Sequence, residues 1–98
     1  MSEETVNKIR KFFKDKPVIR AYLFGSYARN EQTDESDIDI LVELDHTTPV
    51  GLKFVRMQID LEKLLNKEVD LVSANGISKY IKPYIDEEKV LIYDKENK

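Results

Sequence analysis

The sequence predicts an α+β fold (α/β in the wider sense), with a small mixed sheet of about four strands and helices mainly on one face. Two segments, residues 3–14 and 52–65, have apolar side chains at helical spacing. Four shorter segments rich in branched apolar residues predict the strands, at residues 18–24, 37–44, 68–73 and 89–93.

The two long helices have clear boundaries in the sequence. Ser2 can cap the first helix, and Pro17 ends it because the residue before a proline avoids the helical conformation. Leu52, Val55 and Ile59 belong to a broad apolar face of the second helix. Each helix therefore has a face that can pack on the sheet.

Shorter elements are predicted between the strands. Ser26 is a candidate cap for a short helix over residues 27–30. Another short helix is predicted from Ile77, followed by a second short turn with Pro83 at its first position. The Ile-Leu-Val centre of the strand at residues 37–44 predicts burial on both faces of that strand.

The composition is typical of one soluble globular domain, residues 1–98, with 41% apolar residues. The sequence has no membrane-spanning apolar run, no apolar core of a signal peptide and no cysteine, so we expect a cytoplasmic protein without a membrane partner. Residues 25–48 carry seven acids against Arg29 alone. This acidic middle argues against strong nucleic-acid binding by the chain on its own.

Asp37 and Asp39 form a candidate metal site at the start of a predicted strand. Side chains alternate along a strand, so both carboxylates are expected on one face. Two carboxylates held together repel each other, and a divalent cation that binds both removes the repulsion. Mg²⁺ is commonly bound by one or two carboxylates together with substrate phosphates, so the pair indicates a nucleotide bound through Mg²⁺.

Gly25 and Ser26 form a candidate phosphate site, and ten residues separate Ser26 from Asp37. Gly25 allows a sharp turn with close backbone approach. A strand that turns into a helix N-terminus directs free backbone N–H groups at an anion. A phosphate bound there, opposite a metal on the aspartates, predicts phosphoryl or nucleotidyl transfer.

Two motifs resemble the signature of the polymerase-β-like nucleotidyltransferases, Gly-Ser-Tyr-Ala-Arg at residues 25–29 and Ser-Asp-Ile-Asp-Ile-Leu-Val at residues 36–42. The full strings resemble the minimal nucleotidyltransferase (MNT) branch, which implies a nucleotidyltransferase palm from the first strand to the last. That branch commonly has glycine after Ala-Arg, where this chain has Asn30. Asparagine tolerates the left-handed conformation better than most residues, so the turn can survive.

The resemblance also implies a division of roles within the site. Asp37 and Asp39 would bridge two Mg²⁺ ions, and Asp70 would bind the catalytic metal and could take the acceptor proton. Gly25 and Ser26 would bind the leaving phosphates of ATP. Two metal ions about 3.5–4 Å apart can stabilise the attacking and the leaving oxygen together.

Asp70 and Arg29 each have alternative interpretations. A carboxylate within a short apolar strand is rare unless it is paired or binds a metal, so Asp70 could form a salt bridge to Arg29 or a lysine, or lie in water on an edge strand. We favour the metal-binding interpretation. Arg29 could stabilise phosphate charge, or bind Asp34 or Glu35 across the loop.

Three further side chains have weaker functional interpretations. His46, the only histidine, could be a general base, but an exposed loop histidine is the expectation because nothing adjacent in sequence would orient it. Tyr80 and Tyr84 could contact a nucleotide base or a partner. Packing with an exposed hydroxyl is the expectation for both.

The acceptor is expected to be held by a partner or to be the partner, because 98 residues leave little room for an acceptor-binding domain. For the antitoxin branch, the resemblance implies transfer of AMP from ATP to a hydroxyl, a tyrosine, of a cognate HEPN-domain RNase toxin. One alternative is an antitoxin that neutralises its toxin by binding alone. Another is a nucleotidyltransferase that acts on a small molecule or an RNA end.

Overall fold

The fold is built on a four-stranded sheet, described by a computed structural model that covers residues 1–47 and 49–96. In chain order the elements are α1 (Glu3–Phe13), β1 (Val18–Phe24), β2 (Ile38–Leu44), α2 (Leu52–Leu65), β3 (Val69–Ser73), a 3₁₀ helix (Ala74–Gly76), α3 (Lys82–Glu88) and β4 (Val90–Asp94). No helix in this described part of the chain is long and apolar enough to cross a bilayer.

The sheet is mixed, with the strand order β3-β2-β1-β4. β1 is antiparallel to both β2 and β4, whereas β2 and β3 are parallel and are connected through α2. A parallel pair needs a crossover of this kind, because a short hairpin can connect only antiparallel strands. The predicted α+β class with about four strands is confirmed.

α1 and α2 pack against the same face of this sheet. α1 contributes Ile9 and Phe13, and α2 contributes Met57 and Leu61, to one buried cluster with alternate residues of the strands. Burying each of these large side chains contributes roughly 1.5–3 kcal/mol. The apolar face predicted for α1 therefore packs on the sheet. The face predicted for α2 was only partly right, because Leu52, Val55 and Ile59 are 86%, 55% and 42% exposed, whereas Met57 and Leu61 pack on the sheet.

The opposite face of the sheet carries polar side chains. Because side chains alternate along β2, Asp39 and Leu41 point away from the cluster that contains Ile40 and Val42. Leu41 is only 2% exposed, so the centre of β2 is buried on both faces as the sequence predicts. The carboxylate of Asp39 thus lies on the side that α1 and α2 leave uncovered.

The structure corrects the prediction of a helix over residues 27–30. Residues 25–30 form turns, in which the Gly25 carbonyl accepts hydrogen bonds from the N–H groups of Ala28 and Arg29. Asn30 has a φ of 59°, a left-handed conformation in which a right-handed helix cannot continue. The expectation that asparagine can take the place of the usual glycine agrees with this angle.

Two other local predictions were wrong. The helix expected from Ile77 is absent, since a 3₁₀ helix precedes this residue and a turn occupies residues 79–81. Pro83 has no N–H to donate to the carbonyl four residues earlier, so it can lie only in the first turn of a helix, as it does in α3. β2 begins at Ile38 instead of Asp37, which places Asp37 at the end of the preceding loop.

Candidate active site

Asp39 and Asp70 are neighbours across two strands. The parallel register of β2 and β3 pairs these two residues directly, so both side chains lie on the same face of the sheet. Asp70 is exposed and β3 is an edge strand of the sheet. This agrees with the alternative in which Asp70 lies in water on an edge strand. No ion pair joins Asp70 to an arginine or lysine among the described residues, which removes the salt-bridge interpretation there.

The electrostatics of Asp39 reflect this crowding of carboxylates. Partial burial raises the pKa of Asp39, and the negative charges of Asp70 and Asp37 raise it further. The positive charge of Arg29 opposes these effects without cancelling them. A cation bound beside Asp39 would reverse the balance, because it favours the ionised carboxylate.

The residues present suit Mg²⁺ in their chemistry. Asp37, Asp39 and Asp70 offer only carboxylate oxygens, the ligand type that Mg²⁺ prefers. In the described residues, however, no three acidic, histidine or cysteine side chains converge as a preassembled metal site. Asp37 and Asp70 are exposed and free to rotate, and repulsion between three carboxylates favours separated rotamers until a cation binds.

Gly25 brings the turn after β1 into contact with Asp39. Its φ is +73°, a conformation that strains any residue with a Cβ. A Cβ at this position would overlap the Asp39 carboxylate, with the Asp39 Cγ at 3.1 Å. Glycine is therefore required both by the backbone angle and by the close approach of the carboxylate.

The turn at Ser26 presents unpaired donors next to this carboxylate. Within residues 1–47 and 49–96, the backbone N–H groups of Ser26 and Tyr27 have no hydrogen-bond acceptor, and neither does the Ser26 hydroxyl. Successive free N–H groups in a tight turn form an anion-binding concavity without any helix. This turn can therefore bind a phosphate in place of the helix N-terminus that the sequence predicted.

Glu88 is a residue of the site that the sequence did not reveal. Its Oε1 accepts a hydrogen bond from the Gly25 N–H at 3.0 Å, and its Oε2 accepts one from Arg29 Nη1 at 2.9 Å. Arg29 Nε also donates to Glu31 at 3.1 Å, so the alternative in which Arg29 binds Asp34 or Glu35 is wrong. Glu88 lies 63 residues from Gly25 in the chain, and no helical or strand periodicity signals that contact.

His46 lies far from these carboxylates. It follows the end of β2, whereas Asp39 is the second residue of that strand, and the five strand residues between them span roughly 17 Å. His46 is exposed as predicted, but it does have a neighbour that orients it, since its Nε2 lies 2.7 Å from Asn75 Nδ2. That separation excludes His46 as a general base at this site.

Paired carboxylates beside a strand-to-turn junction are typical of enzymes that transfer phosphorus-containing groups with the help of metal ions. Within that class the assignment is specific. The chain belongs to the nucleotidyltransferase-domain family, whose model matches residues 6–92. The matched range includes the Gly25 turn, Asp37 before β2, Asp39 within β2, Asp70 and Glu88.

Two sequence relatives are similar over different lengths. A candidate protein adenylyltransferase of Methanocaldococcus jannaschii is 44% identical over 92 residues, which cover 92% of this chain and 93% of the relative. The protein adenylyltransferase MntA of Thermococcus cleftensis is 44% identical over 55 residues, which cover 56% of this chain and 54% of the relative. Both relatives are named as protein adenylyltransferases.

Two solved structures share the fold. A toxin–antitoxin complex crystallised with AMP-PNP contains a chain with a TM-score of 0.78 and 28% identity, covering 91% of this chain and 73% of that one. A candidate minimal nucleotidyltransferase has a TM-score of 0.74 and 30% identity, covering 92% of this chain and 95% of that one. The predicted minimal nucleotidyltransferase fold is therefore confirmed.

Proposed function

We propose that this chain transfers AMP from ATP to a tyrosine hydroxyl of a cognate HEPN-domain RNase toxin and thereby acts as its antitoxin. The observation that carries the proposal is the direct pairing of Asp39 with Asp70 beside the Gly25 turn. The toxin–antitoxin complex with an ATP analogue and the relatives named as protein adenylyltransferases support the choice of donor and acceptor.

The carboxylates would hold two Mg²⁺ ions in this proposal. Asp37 and Asp39 would bind both ions, and Asp70 would bind the one nearer the acceptor. When bound, such ions stabilise charge on the attacking and leaving oxygens of the transfer. Asp70 is exposed and can be reached by an incoming hydroxyl, which suits it to accept the proton that this hydroxyl loses.

The turn after β1 would bind the phosphates that leave as pyrophosphate. Ser26 offers a backbone N–H and a hydroxyl, and Tyr27 offers a second N–H. Gly25 keeps these donors close to Asp39 because it has no side chain to hold the two apart. Arg29 lies within this turn and can add positive charge once it leaves its carboxylate partners.

An exposed aromatic side chain beside the site suits a protein acceptor. Tyr84 is 72% exposed and lies one helical turn before Glu88, the residue that contacts Gly25. Because Tyr84 and the 76% exposed Tyr80 do not pack internally, the expectation that these two tyrosines are packing residues was wrong. Exposed tyrosines are frequent anchors in protein interfaces.

Intact-mass spectrometry of the toxin tests the proposal. A HEPN-domain toxin encoded beside this chain's gene would be incubated with the chain, ATP and Mg²⁺. We expect a mass gain of one or more AMP units, no gain with Asp37→Asn, and full gain with Asp60→Asn, a matched change on the surface of α2. Among the described residues, the one ion pair of Asp60 is a surface pair with Arg56 at 3.6 Å.

The same experiment separates the alternatives. An unmodified toxin in a stable complex with the chain would favour neutralisation by binding alone. Activity with an aminoglycoside or an RNA end, in the absence of any protein acceptor, would favour a small-molecule or RNA substrate. Either result would overturn AMP transfer to the toxin.

A further inference from the structure

One carboxylate of this chain occupies donors that an incoming phosphate would need. Glu88 bridges the Gly25 N–H at 3.0 Å and Arg29 Nη1 at 2.9 Å, using a different oxygen for each. A backbone N–H at a strand-to-turn junction together with a guanidinium is a typical anion-binding pair. Among the residues that the structure describes, the adjacent Ser26 and Tyr27 N–H groups have no acceptor, so Glu88 fills one side of a larger anion site.

Glu88 is ionised in this position. Partial burial on its own would raise the pKa of Glu88, but the hydrogen bonds from Arg29 and Gly25 outweigh it and hold the pKa below its ordinary value. The side chain therefore presents a negative charge beside Asp39, whose pKa it helps to raise. An anion at this location repels the phosphates of an approaching nucleotide.

We propose that Glu88 sets the affinity for the nucleotide, because its carboxylate holds Arg29 and the Gly25 N–H until the phosphates of ATP displace it. This inference rests on the proposed function and names the residue that regulates nucleotide binding at the same site. The phosphates carry more negative charge than one carboxylate, so Arg29 transfers from Glu88 to the nucleotide when Mg²⁺ and ATP bind.

The exposure of the pair limits how strongly Glu88 can compete. The Arg29 and Glu88 side chains are 47% and 26% exposed, so solvent screens their attraction. Releasing a partly exposed ion pair changes an equilibrium by about two- to fivefold. Glu88 thus adjusts the affinity within that range and does not block the site.

Nucleotide binding without turnover tests the role of Glu88. Calorimetry with AMP-PNP and Mg²⁺ would compare the unaltered chain with Glu88→Gln, which can still accept from the Gly25 N–H but cannot attract Arg29. We expect the dissociation constant to fall about two- to fivefold. Glu87→Gln is the matched control, since it removes the same charge from an exposed neighbouring position and should leave the constant nearly unchanged.

A double substitution shows whether the effect passes through Arg29. In an Arg29→Gln background, Glu88→Gln should no longer tighten binding by the same factor, because the contact it releases is already absent. If Glu88→Gln lowers the thermal stability of the chain, Glu88→Asp provides the same comparison, since its shorter side chain cannot span both donors.

The possible outcomes are distinct. A larger dissociation constant for Glu88→Gln would mean that Glu88 orders the turn for the nucleotide, and an unchanged constant would mean that it has no part in binding. Either result, with normal binding by the unaltered chain, overturns the inference and leaves the proposed function intact. Failure of the unaltered chain to bind AMP-PNP with Mg²⁺ would overturn both.

Discussion

Replacing each of the three glycines with alanine separates backbone strain from damage to the site. Gly25 has a φ of +73° and contacts Asp39. Gly51 has a φ of +44°, and a Cβ added there would meet no atom of the described residues within 4 Å, while Gly76 has neither a positive φ nor such a contact. A left-handed φ costs a residue with a Cβ about 1–2 kcal/mol. Gly25→Ala and Gly51→Ala should therefore lose similar stability, while Gly76→Ala should be neutral or slightly stabilising.

Only Gly25→Ala should also damage the nucleotide site. The new Cβ would force the Asp39 carboxylate to rotate away, a movement that a surface-facing side chain can make without unfolding the chain. Misplacing a catalytic group by about 1 Å commonly costs about 100-fold in rate. We expect a loss of that order in AMP transfer for Gly25→Ala and near-normal transfer for Gly51→Ala.

Thermal unfolding and the transfer assay measure the two effects separately. Each kcal/mol corresponds to about 4–8 °C in the melting temperature of a domain of this size. If Gly25→Ala kept normal transfer, or if Gly76→Ala were as destabilising as Gly51→Ala, the argument from φ and the Asp39 contact would be refuted.

Three other predictions concern charge, the turn and the acceptor. In the absence of Mg²⁺, Asp39→Asn should raise the stability at pH 7 by up to about 1 kcal/mol, because it removes repulsion by Asp70. The raised pKa of Asp39 means that the ionised form destabilises the fold, so this gain should disappear in melts below about pH 4, where the carboxylate is protonated. Asn30→Ala should cost about 1 kcal/mol in urea unfolding, whereas Asn30→Gly should cost little, since the φ of 59° suits glycine; equal costs would contradict this account. Tyr84→Ala should raise the KM for the toxin several-fold without changing the KM for ATP, and Leu52→Ala, at an 86% exposed position on α2, is the control; the opposite ranking would place the acceptor on α2.

Local chemistry in the sequence was enough to predict the long helices, the strands and the turn before Ser26. The alternation of polar and apolar residues along β2 predicts that Asp39 points away from the face of Ile38 and Ile40, because this period is a property of the strand itself. The pairing of Asp39 with Asp70 could be proposed only through the resemblance to a family. No local pattern determines which residues of two strands become neighbours.

Glu88 shows why the rest of the site could not be predicted. Its contact with Gly25 depends on where α3 ends relative to β1, and that position follows from the pairing of β4 with the sheet edge. The helices predicted over residues 27–30 and from Ile77 are absent for a different reason, since a few residues of helical sequence without tertiary packing cannot offset the cost of nucleation. The left-handed Asn30 lies at the end of the turn after β1, and Pro83 lies in the first turn of α3.

The core and the site lie on opposite faces of the sheet, so substitutions at the site can be made without disturbing the core. Ile9, Phe13, Met57 and Leu61 bury the apolar face of the sheet, and none of them borders the Asp39 carboxylate, which lies on the opposite face. Changes such as Asp37→Asn therefore leave the core intact, and removing a like charge relieves repulsion. A loss of AMP transfer in a variant that melts at or above the temperature of the unaltered chain would then report on chemistry and not on folding.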